Sequence, residues 1–290
     1  DLGDAALPAI QIADPAPAAR LANGSWPRLL EAELDGQWFE LDGMVGAGVG
    51  GTSAYYAATL ERPERHDLDE TDTQPHPTGG WPVGYNEFQP WFAMAENYFQ
   101  INGEVDPLAP EGAVLPPQAT PLPASDALLM EDLRRAGMHP YRTHMAARFV
   151  PGCESCFGRR CPRRCKMDGR SAGVLPALDT GRAALLDDCS VTRIEADAGT
   201  VTGLRCRRGD QEFTLRARRY VLAAGGLGSP TLLLRSASEI WPQGLGNRSG
   251  LAGRNLMFHL SEIIAIWAGR TRGESGAARS ISMRDLYSMD

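Results

Sequence analysis

Two stretches decide how the chain is read: Gly43-Met-Val-Gly-Ala-Gly-Val-Gly-Gly-Thr-Ser-Ala54 and Tyr220-Val-Leu-Ala-Ala-Gly-Gly-Leu-Gly-Ser-Pro-Thr-Leu-Leu-Leu234. In the first, Gly46, Gly48 and Gly51 satisfy the G-x-G-x-x-G spacing. Glycines at that spacing permit a tight turn and let backbone N–H groups approach a pyrophosphate, whose charge a helix N-terminus favours. A helix is expected to run from this turn through Leu60. A plain tight turn would give the same glycines, and two features favour it. The preceding Trp38-Phe-Glu-Leu-Asp-Gly-Met-Val45 alternates apolar and polar residues, unlike a buried parallel strand. No acidic residue clearly ends a second strand about 20 residues on. The second stretch supplies the strand that the first lacks. Tyr220 to Ala224 reads as a short buried strand, followed by a glycine turn and a helix over 231–236. An ordinary strand-to-helix turn is the competing explanation.

Around these stretches, alternation in Cys189–Glu195, Val201–Arg207 and Glu212–Ala217 predicts three half-buried strands in an antiparallel meander. Apolar Phe88, Trp91, Phe92, Ala95 and Phe99 keep helical spacing and predict a helix from about Trp81 to Gly103, with Tyr85 or Asn86 near its cap. Ser125 is expected to cap a helix over 126–136 that Gly137 ends. Residues 61–80 read as a polar, Pro-containing linker. The fold class is α/β with α+β elements: an incomplete FAD-binding Rossmann-like domain with an inserted helical cap region. The expected division is 1–80, 81–150 for the cap, 151–260 for the cysteine loop and the return to the cofactor domain, and 261–290 for the start of a substrate domain.

Net charge is −7 over 290 residues, with 43% hydrophobic residues. A core can form, and the acidic balance argues against general nucleic-acid binding. No uninterrupted apolar run approaches the roughly 18 residues of a membrane helix.

Taken together, four segments resemble the glucose–methanol–choline (GMC) oxidoreductases, a flavoenzyme family. They are Gly50-Gly-Thr-Ser-Ala54 with Leu60 and Pro63, Trp81-Pro-Val-Gly-Tyr-Asn-Glu-Phe88, Ala223-Ala-Gly-Gly-Leu-Gly-Ser-Pro-Thr-Leu-Leu-Leu234, and Gly253-Arg-Asn-Leu-Met-Phe-His259. The resemblance implies a bound FAD and oxidation of an alcohol or sugar CH–OH group by hydride transfer to the flavin. It places Gly50, Gly51, Thr52 and Ser53 at the flavin end through backbone and hydroxyl contacts. It places Val191 at the adenine, and Ala224 and Gly225 over the cofactor's centre. Tyr56, Ala47, Gly226, Ala237 and Phe258 depart from the family pattern. The resemblance also puts the phosphate-binding βαβ unit before Asp1 and the catalytic His, with its partner, beyond Asp290. The chain by itself is therefore expected to bind FAD poorly and to be inactive, and its catalytic residues are unknown. His259 is not the catalytic His. His66, His76, His139 and His144 lack a recognised carboxylate or nucleophile partner and read as solvent or packing residues.

Cys153, Cys156, Cys161 and Cys165 give C-x2-C-x4-C-x3-C in one basic loop. Four such thiolates could hold zinc or an iron–sulfur cluster, and Arg159, Arg160, Arg163, Arg164 and Lys166 would lower the thiol pKa values. Some sugar dehydrogenases resembling this family carry a three-iron cluster, to which Cys156, Cys161 and Cys165 would be the nearest counterparts. A metal-free structural loop and disulfides are the alternatives. The loop gives a second functional reading, a metal or iron–sulfur electron-transfer module. Substrate, electron acceptor and compartment are not legible.

Overall fold

The structure, a computed structural model, describes residues 16–22, 24–34, 36–41, 45–72, 75–109, 115–118, 122–154, 156, 158–257 and 280–287. The chain divides into two compact units, Asp1–Ala183 with Trp267–Asp290, and Ala184–Ile266. Each mixes helices with small sheets, and every strand pair among the described residues is antiparallel. No helix among the described residues is long and apolar enough to cross a membrane.

In the first unit, α1 (Pro17–Ala22) precedes a hairpin of β1 (Leu30–Leu34) and β2 (Gln37–Leu41). Trp38 and Phe39 are exposed, so this alternating segment is indeed no buried parallel strand. The expected helix through Leu60 is absent. Gly51–Ala54 makes one 3-10 turn, after which the chain is extended. Long-range pairing overrides local preference here: Ala58 has φ +61, Thr59 bridges Met145, Ala146 N–H donates to Ala58 O at 2.7 Å and Leu60 N–H to His144 O at 3.1 Å.

The segment 143–149 is the spine of this unit. It also exchanges bonds with Asn102 (2.8 and 3.1 Å), and Met167 N–H donates to Ala146 O at 2.8 Å. Its apolar residues Met145, Ala146, Ala147 and Phe149 pack with Ala58, Ile101, Met167 and Ala172 as the core.

The expected linker 61–80 is ordered by a 3-10 turn, Arg65–Asp67, and by Asp69. Asp69 Oδ1 accepts the Tyr85 N–H at 2.8 Å, capping the start of α2 (Tyr85–Tyr98) from sixteen residues away. Arg62 grips the far end of α2 through a two-point pair with Glu96 (2.6 and 2.7 Å). The packed stripe is Tyr85, Phe88, Phe92 and Phe99, with Phe88 stacked on Phe92 at 5.6 Å. Trp91 and Ala95, expected on that stripe, are exposed.

The next helix, α3, is Ala124–Arg135, with Pro123 at its cap. Ser125 therefore lies in the first turn and bonds Asp126 (3.2 Å) instead of capping, while Gly137 at φ +82 ends the helix as expected. The two-residue strands β3 (Tyr141–Arg142) and β7 (Ile281–Ser282) pair. Past the cysteines come a wide π-type turn, Gly169–Val174, and α4 (Leu175–Asp179), neither of which has a sequence signal above its surroundings.

The second unit holds the predicted meander: β4 (Cys189–Ala196), β5 (Val201–Arg208) and β6 (Gln211–Leu215), in that order. Helix α5 (Gly225–Arg235) begins in the glycine turn itself, six residues earlier than its leucines suggest, and is tied to β4 where Ile194 N–H donates to Ser236 Oγ at 2.8 Å. Tyr220–Ala223 is not a strand, and Val221 is 88% exposed. An apolar run becomes a buried strand only when neighbours pair with its backbone on both sides, and no described strand pairs with this run.

Candidate functional site

The glycine turn of the first unit is braced at three points. Gly46 bridges Ser25, and its N–H donates to Thr52 Oγ1 at 3.1 Å. Ser53 Oγ donates to Gly50 O at 2.5 Å and accepts the Gly169 N–H at 2.8 Å. Lys166, 2% exposed, extends Nζ to the carbonyls of Ala54 (2.6 Å) and Tyr56 (3.2 Å).

The glycines do different jobs. A Cβ on Gly46 would strike Gly51 backbone at 2.3 Å. Gly50, at φ +95, would put one 3.1 Å from Arg170. These two are glycine because protein packs against them. Above Gly48 and Gly51 nothing lies within 4 Å. The open faces of those two, with the Thr52 hydroxyl proton, are what the turn offers to a ligand. Ser53 Oγ already makes both of its bonds within the protein. The Tyr56 hydroxyl is committed to Met167 O (2.5 Å), and burial pushes its pKa up.

Gly169 also borders an open cleft of about 850 Å³, shared with Trp91, Tyr98, Met167 and Ser171. The Ser171 hydroxyl is buried there without a hydrogen-bond partner.

In the second unit Gly225 (φ +77) and Gly226 likewise have nothing within 4 Å of an added Cβ. Ala224 N–H is turned to Ser229 Oγ at 3.1 Å. Val191 pairs with Cys206 on β5 and is 37% exposed. Each unit thus has one glycine turn with open main chain, Gly48 and Gly51 in the first and Gly225 and Gly226 in the second. Gly253–Met257 is irregular, and Phe258 and His259 lie outside the described residues.

The four loop cysteines do converge. Cys156, Cys161 and Cys165 are buried and Cys153 packs on them, with Sγ–Sγ distances of 3.4 Å for Cys161–Cys165 and 3.8 Å for Cys165–Cys153. The basic residues do not lower the thiols as a group. Burial pushes Cys156 and Cys165 up. Cys161 instead falls below its ordinary value: burial raises it, but N–H groups of Lys166, Cys165 and Arg163 and the Cys165 thiol outweigh this. Arg159 pairs with Glu154 (3.0 Å), Arg163 bonds Pro151 O (3.0 Å), and Lys166 points inward. Among the described residues no group of three or more His, Cys, Asp or Glu is arranged to hold a metal ion.

Two histidines sit as packing or surface residues: His144 is buried and bonds Glu104 O (2.7 Å), and His76 accepts from Thr78 N–H. The other two have carboxylate partners, contrary to expectation. His66 Nε2 lies 3.7 Å from Asp67 Oδ1, and its ring lies against Tyr287 with centres 5.5 Å apart. His139 Nδ1 lies 2.7 Å from Asp285 Oδ1, on an exposed face where it anchors the 280–287 segment. The sequence marks Lys166 only as a basic neighbour of the thiols, and it gives no sign of Gly169 or of the neighbouring Asp168, which is fully buried and accepts the Ser171 N–H at 2.7 Å. The one local feature is the charged run Lys-Met-Asp-Gly-Arg170.

Comparison with known proteins bears on the same segments. Paromamine 6'-oxidase of Streptomyces fradiae is 28% identical over 76% of this chain and 42% of its own length. The fructose dehydrogenase large subunit of Gluconobacter japonicus is 28% identical over 77% and 44%. The 2-methyl-1,2-propanediol dehydrogenase of Mycolicibacterium austroafricanum is 29% identical over 79% and 44%. The chain thus spans less than half the length of these relatives. Residues 41–261 match the GMC oxidoreductase family model. That span takes in both glycine turns, the cysteine knuckle between them and the meander, and on it the chain belongs to the GMC oxidoreductase family.

Proposed function

We propose that this chain carries the flavin-facing part of an FAD-dependent oxidoreductase that oxidises an alcohol or sugar CH–OH group. The observation that carries the reading is the pair of glycine turns with open backbone faces, Gly48/Gly51 and Gly225/Gly226, inside a span belonging to an oxidoreductase family. When bound, FAD would supply the hydride acceptor. The chain's own residues would shape and hold. Gly50, Gly51, Thr52 and Ser53 would form the flavin-end turn, with contact through the faces of Gly48 and Gly51 and the Thr52 hydroxyl. Ala224 and Gly225 would meet the cofactor's centre and Val191 its adenine. Residues 81–150 would face the substrate, whose class is supported by relatives named as oxidases or dehydrogenases of paromamine, fructose and a propanediol. The cleft beside Gly169 offers one place for such a molecule, with an aromatic wall at Trp91 and Tyr98 and the unpartnered Ser171 hydroxyl.

The test is direct. Protein produced from the complete coding sequence should purify yellow, release FAD on denaturation, and bleach with a sugar or alcohol under anaerobic conditions. A colourless preparation that takes up no flavin would end the reading.

A second reading, a metal or iron–sulfur electron-transfer module at Cys153, Cys156, Cys161 and Cys165, is favoured by the convergence of the four sulfurs. Stoichiometric iron or zinc by elemental analysis would establish it, and flavin without metal would reject it.

A further inference from the structure

We propose that Lys166 is a positioning residue for the flavin-facing turn, holding the end of that turn against the cysteine knuckle. The proposal rests on the flavin reading above for its functional consequence, but not for its geometry. Lys166 Nζ meets four main-chain carbonyls on two separate segments. Ala54 O (2.6 Å) and Tyr56 O (3.2 Å) belong to the glycine turn and its exit. Cys156 O (3.0 Å) and Arg159 O (2.7 Å) belong to the knuckle. The charge also lies 5.7 Å from the Tyr56 ring centre.

An ammonium is a compact charge with three donors, so it can gather carbonyls from several directions, where a planar guanidinium could not. Both turn carbonyls are thereby drawn inward, which fixes the orientation of the peptide groups at the C-terminal end of the 3-10 turn. The other two braces act elsewhere: Thr52 at its entrance and Ser53 with Gly169 at its middle. Without Lys166 the exit would keep the Tyr56 hydroxyl on Met167 O, Tyr55 with Ser25 and Ala58 O with Ala146 N–H, none of which holds the Ala54 or Tyr56 carbonyl. In water-poor surroundings the four carbonyls would then lack a donor. The positive charge beneath the turn has a second effect, for it favours electron density on whatever rests above.

Three forms of the protein, made from the complete coding sequence, test this: wild type, Lys166→Met and Lys166→Gln. Lys166→Gln keeps a shorter N–H donor, so the fold stays accessible if Lys166→Met is poorly behaved. Hydrogen exchange read by mass spectrometry should show the amides of 51–57 exchanging at least about tenfold faster in folded Lys166→Met, while those of the meander are unchanged. Lys166→Gln should fall between. FAD affinity should weaken by about tenfold or more. At saturating FAD the visible flavin band should change shape and the midpoint potential should fall, neither of which a purely structural residue would cause. Unchanged exchange at 51–57 in a folded variant overturns the proposal, as does lost stability with an unaltered flavin spectrum and potential. A wild type that takes up no flavin refutes the flavin reading alone, because the exchange measurement decides the brace by itself.

Discussion

The backbone N–H of Gly169 donates to the Ser53 hydroxyl at 2.8 Å across 116 positions of sequence, and the same hydroxyl donates to Gly50 O at 2.5 Å. One side chain thus joins the glycine turn to the wide turn beyond the cysteines. Ser53→Ala should leave one N–H and one carbonyl unpaired in partly buried surroundings, costing about 1–3 kcal/mol. Thermal unfolding should report this as a drop of about 2–4 °C for each kcal/mol in a unit of this size. A melting temperature unchanged within error would show that water replaces the hydroxyl.

Adjacent glycines should separate folding from cofactor binding. Gly50→Ala places a methyl against Arg170 at positive φ, so the chain should lose about 1–3 kcal/mol of stability. Gly48→Ala meets nothing within 4 Å and should melt as wild type does. If flavin rests on that open face, the added methyl should weaken FAD binding by about tenfold or more. Calorimetry paired with flavin fluorescence titration checks both. Equal FAD affinity for Gly48→Ala and wild type would move the cofactor off this face.

In the second unit the same logic gives opposite signs. Gly226 sits in the first turn of α5 at an ordinary φ with open space around it. Alanine there should stabilise the helix by a few tenths to about 1 kcal/mol, because glycine loses more backbone freedom on folding. The methyl would stand where the cofactor's centre is proposed to pass, so FAD affinity should fall. A variant both more stable and fully flavin-loaded would argue that this turn does not touch the cofactor.

What was legible follows from the range of the forces involved. The meander showed because alternation along β4, β5 and β6 is local, with a period of two. Gly137 as a helix stop showed for the same reason. The helix expected through Leu60 failed because the partners of Ala58 and Thr59 are Ala146 and Met145, nearly ninety positions away. Tyr220–Ala223 had a strand's composition, but composition does not supply neighbours for its backbone. Both glycine turns were found, yet their division of labour was not. Gly46 and Gly50 are crowded by protein and Gly48 and Gly51 are open, a distinction made only by Gly51 and Arg170 folding back. Lys166 was read as one basic residue of five near the thiols, and no local pattern marks the one that turns inward.

Thiol chemistry should follow burial more than charge. Cys153 and Cys189 are partly exposed, whereas Cys156, Cys161, Cys165 and Cys206 are buried. The Cys161 thiol is held below its ordinary pKa by the N–H groups and thiol around it, but it is 1% exposed. Alkylation of the native protein, mapped by peptide mass, should therefore label Cys153 and Cys189 first. Cys161 should lag until the loop opens. Early labelling of Cys161 would mean that the knuckle breathes on the timescale of the reaction.

Arg284 makes the last prediction one about acid. Its guanidinium reaches Glu61 Oε2 (2.9 Å), Asp106 Oδ2 (3.3 Å), Glu64 and Arg62 O, while Tyr141 donates to Glu61 at 2.6 Å. Burial raises the Glu61 pKa, but the bonds from Tyr141, Arg284 and Ser282 more than offset it, so the net shift is downward. A carboxyl depressed on folding contributes stability that is complete above its unfolded value, about 4.3, and is lost as pH falls through the folded value. The contact between segment 280–287 and Glu61 should therefore persist at neutral pH and loosen only below about pH 4. Arg284→Met removes the shared cation from three carboxylates and should cost about 2–4 kcal/mol, between the values for exposed and fully buried pairs. It should also move the loosening to higher pH, since Glu61 then keeps its burial penalty with less to offset it. Hydrogen exchange at 280–287 followed from pH 7 to pH 3 measures both effects. Loosening of the wild type near neutral pH would show that Glu61 does not carry the anchor.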